Sequence, residues 1–419
     1  MAEPRILTFG CRLNAYESEV IRGHLETAGA GDVIVVNSCA VTAEAERQVR
    51  QAIRKAHRET PEAKIVVTGC AAQIDPAAYA ALPGVARVVG NAGKLRAESW
   101  HIESWHTGPH PEVEIDDIMA LREAASHLRG AFAGRARAFV QIQQGCDHRC
   151  TFCVIPYGRG NNRSVPPAAI AEEVRGLAAA GVREVVLTGV DITGYGSDLP
   201  GRPSLGQLCR RLLNLVPELR RLRLSSLDPV EMDDALFALL ASDRRLMPHL
   251  HLSVQAGSDL ILKRMKRRHL KADVLAAVAR AKAARPETVF GADLIAGFPT
   301  ESEAAFEETL ELVEAADLTY LHVFPYSERA GTPAVRMPQV PKPLRKERAG
   351  RLRALGQERL KAHLLGQVGR QAQVLVEKTG LGRTDNFSAV ALPAEAAVGS
   401  VIDIRLAAAR PPVLEGVPL

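Results

Sequence analysis

Six times between Ala136 and Tyr326, a short run rich in β-branched and apolar residues gives way to an amphipathic helical segment. The runs are ARAFVQIQ, EVVLTG, RLRLSS, LHLSVQ, VFGADLIAG and YLHVFPY, with helices such as PPAAIAEEVRGLAAAG and ESEAAFEETLELVEAA between them. Near-continuous apolar strands joined by helices demand a parallel sheet covered on both faces. Six units stop short of the eight that close a full (β/α)8 barrel. The expected architecture over residues 132–362 is therefore a partial (β/α)6 barrel.

The flanks read differently. RILTFG, DVIVVNS and AKIVVTG, with the helix former AEAERQVRQAIRKAHRE between the second and third, predict an N-terminal parallel α/β sheet domain over residues 1–100. Residues 101–131 lose this rhythm and read as a linker. A proline-rich PQVPKPL leads into a basic helix from Arg345 to about Leu365. The remainder, residues 363–419, switches to short strands with turn glycines and predicts a small all-β barrel of five strands. The fold class is thus α/β and multidomain, with an all-β end. No apolar run approaches the roughly 20 residues that cross a bilayer, and no signal-peptide pattern opens the chain. The expected compartment is the cytoplasm, with no membrane partner.

Seven cysteines are too few for a disulfide scaffold in 419 residues, so clustered thiols point to metal or catalysis. The densest cluster is QQGCDHRCTFCVIPYGRG, where Cys146, Cys150 and Cys153 follow the first barrel strand in a Cys-x3-Cys-x2-Cys spacing. Thiolates so placed can chelate one iron–sulfur cluster. Three protein ligands on a four-iron cluster leave one iron open, and open coordination marks catalytic metal sites. A structural zinc would need a fourth thiolate or imidazole from elsewhere.

The motif, with Phe152 just before its last cysteine, resembles the radical S-adenosylmethionine superfamily, and the resemblance extends over about residues 135–330. It implies a [4Fe–4S] cluster and S-adenosylmethionine, cleaved by one electron to methionine and a 5′-deoxyadenosyl radical. The cofactor is expected at the carboxyl ends of the barrel strands, where the candidates are Phe152, Gly189, Ser225, Ser226, Ser253 and Gln255. In GADLIAGFPTE, Ile295 and Gly297 match the superfamily's adenine-contacting strand. No catalytic side chain is expected beyond the clusters.

Cys11, Cys39 and Cys70 each follow the residue that ends a predicted strand, in ILTFGC, VIVVNSC and KIVVTGC. The carboxyl ends of parallel strands share one edge, where ligands bind. Three widely separated thiols are thereby expected to meet, and the glycines before two of them let the backbone approach a bulky group. Cys209, on a helix, is expected in the core.

A second three-cysteine site before such a barrel, with a small β module after it, resembles the methylthiotransferase family over essentially the whole chain. The resemblance implies that the cluster at Cys11, Cys39 and Cys70 is a second [4Fe–4S] cluster that carries sulfur. It also implies that S-adenosylmethionine is both methyl donor and radical source, and that the end module is a TRAM-like RNA-binding barrel. TFGCRLNAYESE, VNSCAVTAEAERQVRQAIRK, CTFCVIPYGRG and LTGVDITGYG most resemble the branch acting on C2 of N6-threonylcarbamoyladenosine at position 37 of tRNA. The isopentenyladenosine branch usually has Gln-Met after its first cysteine, and the ribosomal-protein aspartate branch Pro-Lys; here Arg12-Leu13 stands there. Arg12 suits a substrate bearing a carboxylate, which guanidinium grips as a fork.

The partners so implied are the anticodon stem–loop and a reductant such as flavodoxin or ferredoxin, with the chain acting as a monomer. Net charge is +5, concentrated from Pro341 onward, where 13 basic residues face 7 acidic ones. Candidate phosphate contacts are Lys263, Arg264, Lys266, Arg267 and Arg268, and Lys342, Arg345 and Lys346 of the basic helix. A reading of another class, a non-catalytic iron–sulfur protein for RNA binding or electron transfer, leaves the open iron without a purpose.

Overall fold

The computed structural model describes residues 4–101, 105, 110–123 and 136–419. The N-terminal sheet is parallel throughout, in the order β1 (Arg5–Thr8), β2 (Val33–Ser38), β3 (Lys64–Gly69), β4 (Val85–Val89), β5 (Glu112–Glu114). β2 is buried along its whole length, so its β-branched run faces apolar cores on both sides. Helices α1 (Arg12–Thr27) and α2 (Ala43–Glu59) cover it, the latter capped where the Thr42 side chain accepts from the Ala45 amide.

The linker expectation is corrected here. Trp100 and Trp105 are buried in the sheet's core, and β5 joins the sheet beside β4. Arg87 ties this edge together by pairing with Glu114 at 2.6 Å and Glu112 at 3.3 Å. Short strands with flanking glutamates carry little apolar periodicity, which is why the sequence hid this one. Residues 102–104, 106–109 and 124–131 of the stretch lie outside the described residues.

The six barrel strands follow as Arg137–Gln141, Glu184–Thr188, Arg221–Leu224, His249–Gln255, Val289–Ala296 and Leu318–Pro325. All pair in parallel and in chain order, the third bending at Ser225 before continuing as Ser226–Leu227. Helix α1 packs on the first barrel strand through Tyr16 and Val20, welding the N-terminal sheet to the barrel. The long helix begins at Lys342, three residues earlier than expected, and ends at Leu365; Pro343 sits in its first turn, where a missing amide costs nothing. Beyond it five strands close into a barrel around Val374, Val376, Val390, Ile404 and Leu414. Among the described residues, no helix is long and apolar enough to cross a membrane.

Candidate functional site

β2 and β3 run in register to their ends, Ser38 opposite Gly69, so Cys39 and Cys70 emerge at one level. β1 stops at Thr8, opposite Asn37, and the chain turns through Gly10 to bring Cys11 to the same edge. Gly10 has φ +89°, and a Cβ there would lie 2.6 Å from Cys39 Sγ. Only glycine fits so close to a neighbouring thiol. Gly69, at φ +95°, would place a Cβ 2.3 Å from the Ser38 carbonyl. Asn14 pins the edge together, its amide donating to the Phe9 and Ser38 carbonyls at 2.7 and 3.0 Å. Cys39 and Cys70 are buried while Cys11 is exposed, so the triad is anchored in protein and open on one side.

The second triad lies on one loop after the first barrel strand. Gly145, at φ +72°, makes the turn into Cys146, where a Cβ would collide with the Asn161 carbonyl. The loop is docked by Thr151, whose amide donates to the Met265 carbonyl at 3.0 Å and whose hydroxyl donates to the Arg264 carbonyl at 2.8 Å. Burial pushes the Cys153 thiol up to about 12. Burial raises Cys150 too, but hydrogen bonding from His148 and the charge of Arg267 outweigh it and hold that thiol below its ordinary value. Arg267 lies 3.6 Å from Cys150 Sγ.

The segment between the triads is their physical link. Cys153 enters the short helix Ile155–Arg159, which packs on the helix Cys70–Ile74 that Cys70 begins. At its far end Arg159 Nε donates to Cys70 Sγ at 3.0 Å, and Asn91 donates to the Gly158 carbonyl at 2.5 Å. Arg159, Glu17 and Lys94 form a fully buried charge triad, with Lys94 Nζ 2.6 Å from Glu17. Two cations on one carboxylate leave a surplus positive charge beside Cys70.

Both donor sets fit a polynuclear group. A tetrahedral zinc holds its sulfurs roughly 3.8 Å apart, from Zn–S bonds of about 2.3 Å. Among the described residues, neither cysteine triad brings its three sulfurs within 4.8 Å of one another, so neither is shaped for a single ion. His148 and Asp191 do approach Cys146, but Cys150 and Cys153 stand outside that grouping.

Beside the loop triad opens a cavity of about 260 Å³, lined by Val41, Thr42, Phe152, Gln255, Asp293, Ile295, Phe324 and Tyr326 among others. Three of the expected cofactor residues, Phe152, Gln255 and Ile295, share it; Gln255 holds φ +74°, unusual away from glycine. Ser253 offers its carbonyl to Arg267 at 2.9 Å, and Ser226 donates to Asp293 at 3.4 Å. Ser225 is the buried bend in the third strand. The remaining two glycines have packing reasons. A Cβ on Gly189 would meet the Gln143 carbonyl at 2.8 Å, and one on Gly297 would strike Arg345 at 2.6 Å.

The expected phosphate contacts separate into free and committed cations. Lys263, Lys266, Lys342 and Lys346 are exposed, and none has an ion pair among the described residues. Arg264 donates to Thr300 at 2.6 Å, and Arg268 pairs with Glu231 at 2.6 Å. Two expectations are corrected. Arg267 points inward, paired with Asp228 at 2.8 Å beside Cys150. Arg345 is buried under the helix, paired with Glu328 at 2.9 Å and donating to the Val340 carbonyl. The same helix commits Arg348 to Glu301, Arg351 to Glu303 and Glu307, and Arg359 to Asp317, so much of its charge docks it to the barrel.

Arg12 enters the barrel from the start of α1. Its guanidinium lies 6.0 Å from the Phe387 ring centre. Phe387 itself stacks on His249 at 4.7 Å, so the end module's one aromatic ring is spent on the foot of the barrel rather than exposed for bases. Higher in the lumen, Asp293 is held between His251 at 3.1 Å and His322 at 3.3 Å. Glu17, Lys94, Arg159, Asn14, Asn91 and Asp293 were not singled out from sequence. Nothing marks them there, since a charged residue in a helix reads as solvent-facing until the tertiary structure buries it.

Comparison with known proteins gives matching findings. The profile described as the Radical SAM superfamily matches residues 140–313, and that of uncharacterized protein family UPF0004 matches residues 4–90. A threonylcarbamoyladenosine tRNA methylthiotransferase MtaB of Rickettsia prowazekii is 51% identical over 96% of this chain and 94% of its own length. That of Bacillus subtilis is 34% identical over 99% and 96%. A tRNA-2-methylthio-N(6)-dimethylallyladenosine synthase of Cereibacter sphaeroides is 36% identical over 99% of both chains. Among solved structures, the radical S-adenosylmethionine methyltransferase TsrM of Kitasatospora setae superposes with a TM-score of 0.59 at 16% identity, covering 89% of this chain and 78% of that one. This last likeness is one of fold.

Proposed function

The chain belongs to the tRNA methylthiotransferases of the radical S-adenosylmethionine superfamily, and on that premise we propose its substrate and the roles of its residues. The reaction is replacement of the C2 hydrogen of N6-threonylcarbamoyladenosine at position 37 of tRNA by a methylthio group. The 51% identity to a threonylcarbamoyladenosine enzyme, against 36% to a dimethylallyladenosine one, favours this branch. The tRNA is the macromolecular partner. A flavodoxin- or ferredoxin-like reductant, a monomeric state and a cytoplasmic location complete the reading.

The observation that carries it is the direct coupling of the two thiol triads through Ile155–Arg159 beside one cavity. Cys146, Cys150 and Cys153 hold one [4Fe–4S] cluster, and Cys11, Cys39 and Cys70 the other. When bound, these groups and S-adenosylmethionine supply an electron, a carbon-centred radical, the sulfur and the methyl group. The protein's own part is positional and electrostatic. Arg267 and His148 favour the Cys150 thiolate, and Arg159 positions Cys70 by a hydrogen bond to its sulfur. Phe152, Gln255 and Ile295 shape the cavity that receives the cofactor. Lys263, Lys266, Lys342 and Lys346, exposed and uncommitted, are the cations offered to RNA phosphates.

Nucleoside mass spectrometry of tRNA from cells lacking this protein tests the proposal. Loss of the 2-methylthio form of threonylcarbamoyladenosine is expected; its persistence, with loss of the isopentenyl product instead, would reassign the branch.

A further inference from the structure

The foot of the barrel lumen carries more positive charge than the protein neutralises. Arg137, Arg221 and Arg223 all pair with Glu184, the last two at 3.2 and 2.9 Å. Arg137 and Arg383 share Glu377 at 2.6 and 3.4 Å. Two carboxylates thus serve four guanidinium groups. Arg12 adds a fifth, reaching in laterally from the N-terminal sheet, and its side chain has neither hydrogen bond nor ion pair among the described residues. Asp293, higher in the lumen, is already engaged by two imidazoles.

We infer that Arg12 is the receptor for the free carboxylate of the threonylcarbamoyl group, in a subsite whose floor is built by the end module. The inference rests on the substrate proposed above. Threonine joined through its nitrogen to a carbamoyl group keeps an ionised carboxylate, which an isopentenyl group lacks. Arg12 follows Cys11 directly, so the residue that reads the N6 substituent is covalently adjacent to the sulfur-carrying site. A guanidinium grips a carboxylate bidentately, with a geometry an ammonium cannot reproduce. The surrounding arginines raise the potential, and two of them are turned toward the end module rather than toward Arg12. Arg223 donates to the carbonyls of Thr384 and Asp385 at 3.0 and 2.8 Å, and Arg383 to that of Phe387 at 3.0 Å. The loop 383–388 therefore serves as a plug under the substrate pocket as well as part of an RNA-binding barrel.

The test uses the full-length protein with both clusters reconstituted and three anticodon stem–loops: with threonylcarbamoyladenosine, with its methyl ester, and with unmodified adenosine. Wild-type protein is expected to bind the first more tightly than the other two. Arg12→Met is expected to erase that preference, a loss of roughly ten- to a hundredfold for a hydrogen-bonded charge, while binding the unmodified stem–loop as before. Arg12→Lys is expected to restore part of it. An equal loss on all three RNAs would mean that Arg12 meets a phosphate and would overturn the inference, as would a preference unchanged in Arg12→Met. Should wild-type protein neither prefer nor convert the threonylcarbamoyl stem–loop, the substrate reading itself falls. Unchanged iron content and circular dichroism identify variants that remain folded. If Arg12→Met misfolds, the shorter polar but uncharged Arg12→Gln carries the same expectation.

Discussion

The two cysteine triads solve one chemical problem by opposite routes. Cys146, Cys150 and Cys153 sit within eight residues on one loop, and local chain geometry alone keeps them together. Cys11, Cys39 and Cys70 are spread over sixty residues and meet only because three parallel strands end in register. The surroundings differ accordingly. The loop triad is tuned by Arg267, from the connection between the fourth and fifth barrel strands, whereas the sheet triad rests on a buried ion cluster that spans both units through Glu17 and Arg159. A contiguous motif can be read, copied and moved between folds. A topological one exists only while its sheet does, so it should fail whenever the sheet edge is disturbed.

That contrast can be broken experimentally. Cys150→Ala is expected to abolish both 5′-deoxyadenosine formation and methylthio transfer, measured by product chromatography; persistent cleavage would remove the loop triad from radical generation. Cys39→Ala is expected to abolish methylthio transfer while leaving 5′-deoxyadenosine formation, with iron falling from about eight to about four per chain. An unchanged iron count would mean that the sheet triad holds no cluster. Gly10→Ala is expected to mimic Cys39→Ala without removing any ligand, because the new Cβ must displace Cys39 Sγ at φ +89°. Retention of full iron would show that the sheet edge yields more easily than its packing suggests.

A smaller effect is expected in Arg159→Met, which strips Glu17 of one of two cations. Breaking a buried pair costs about 3–5 kcal/mol, and thermal unfolding should shift downward by several degrees with loss of the sheet cluster before the loop one. The smallest concerns the joint between α1 and the barrel. Burial there raises Glu173 from 4.5 to about 8. Its folded form holds the proton more tightly than the unfolded form, so its contribution is full below about pH 4.5 and is lost as pH rises to 8. Glu173→Gln should therefore match wild type near pH 5 and melt roughly 2–4 °C higher near pH 9. Equal melting temperatures at both values would show that Glu173 is hydrated.

The legible parts of this protein share a physical property: they are written in consecutive residues. The six barrel strands, the loop triad and the closed five-stranded end module all announce themselves through periodicity, spacing or turn chemistry. The strand-end cysteines were legible only because each repeats the same local context. By contrast β5 escaped, since its three residues, Glu112–Glu114, are too few to carry a period. The basic helix misled in part, because Arg345 and Arg348 look like a phosphate-binding run until Glu328 and Glu301 are found beneath them. Phe387, the one aromatic of the end module, carries no mark in sequence of its packing against His249.

By itself, then, the sequence determined which backbone segments are strands and helices, where thiols follow strand ends, and which branch of relatives the chain resembles. Tertiary structure alone decided which charges are free. Arg12, Arg267 and Arg345 are identical side chains with equal claims in one dimension. Arg12 faces a ring and other guanidinium groups, Arg267 a thiol and Arg345 the acid Glu328, because the energy of a charge depends on the solvent and counter-charges around it, and those come from elsewhere in the chain.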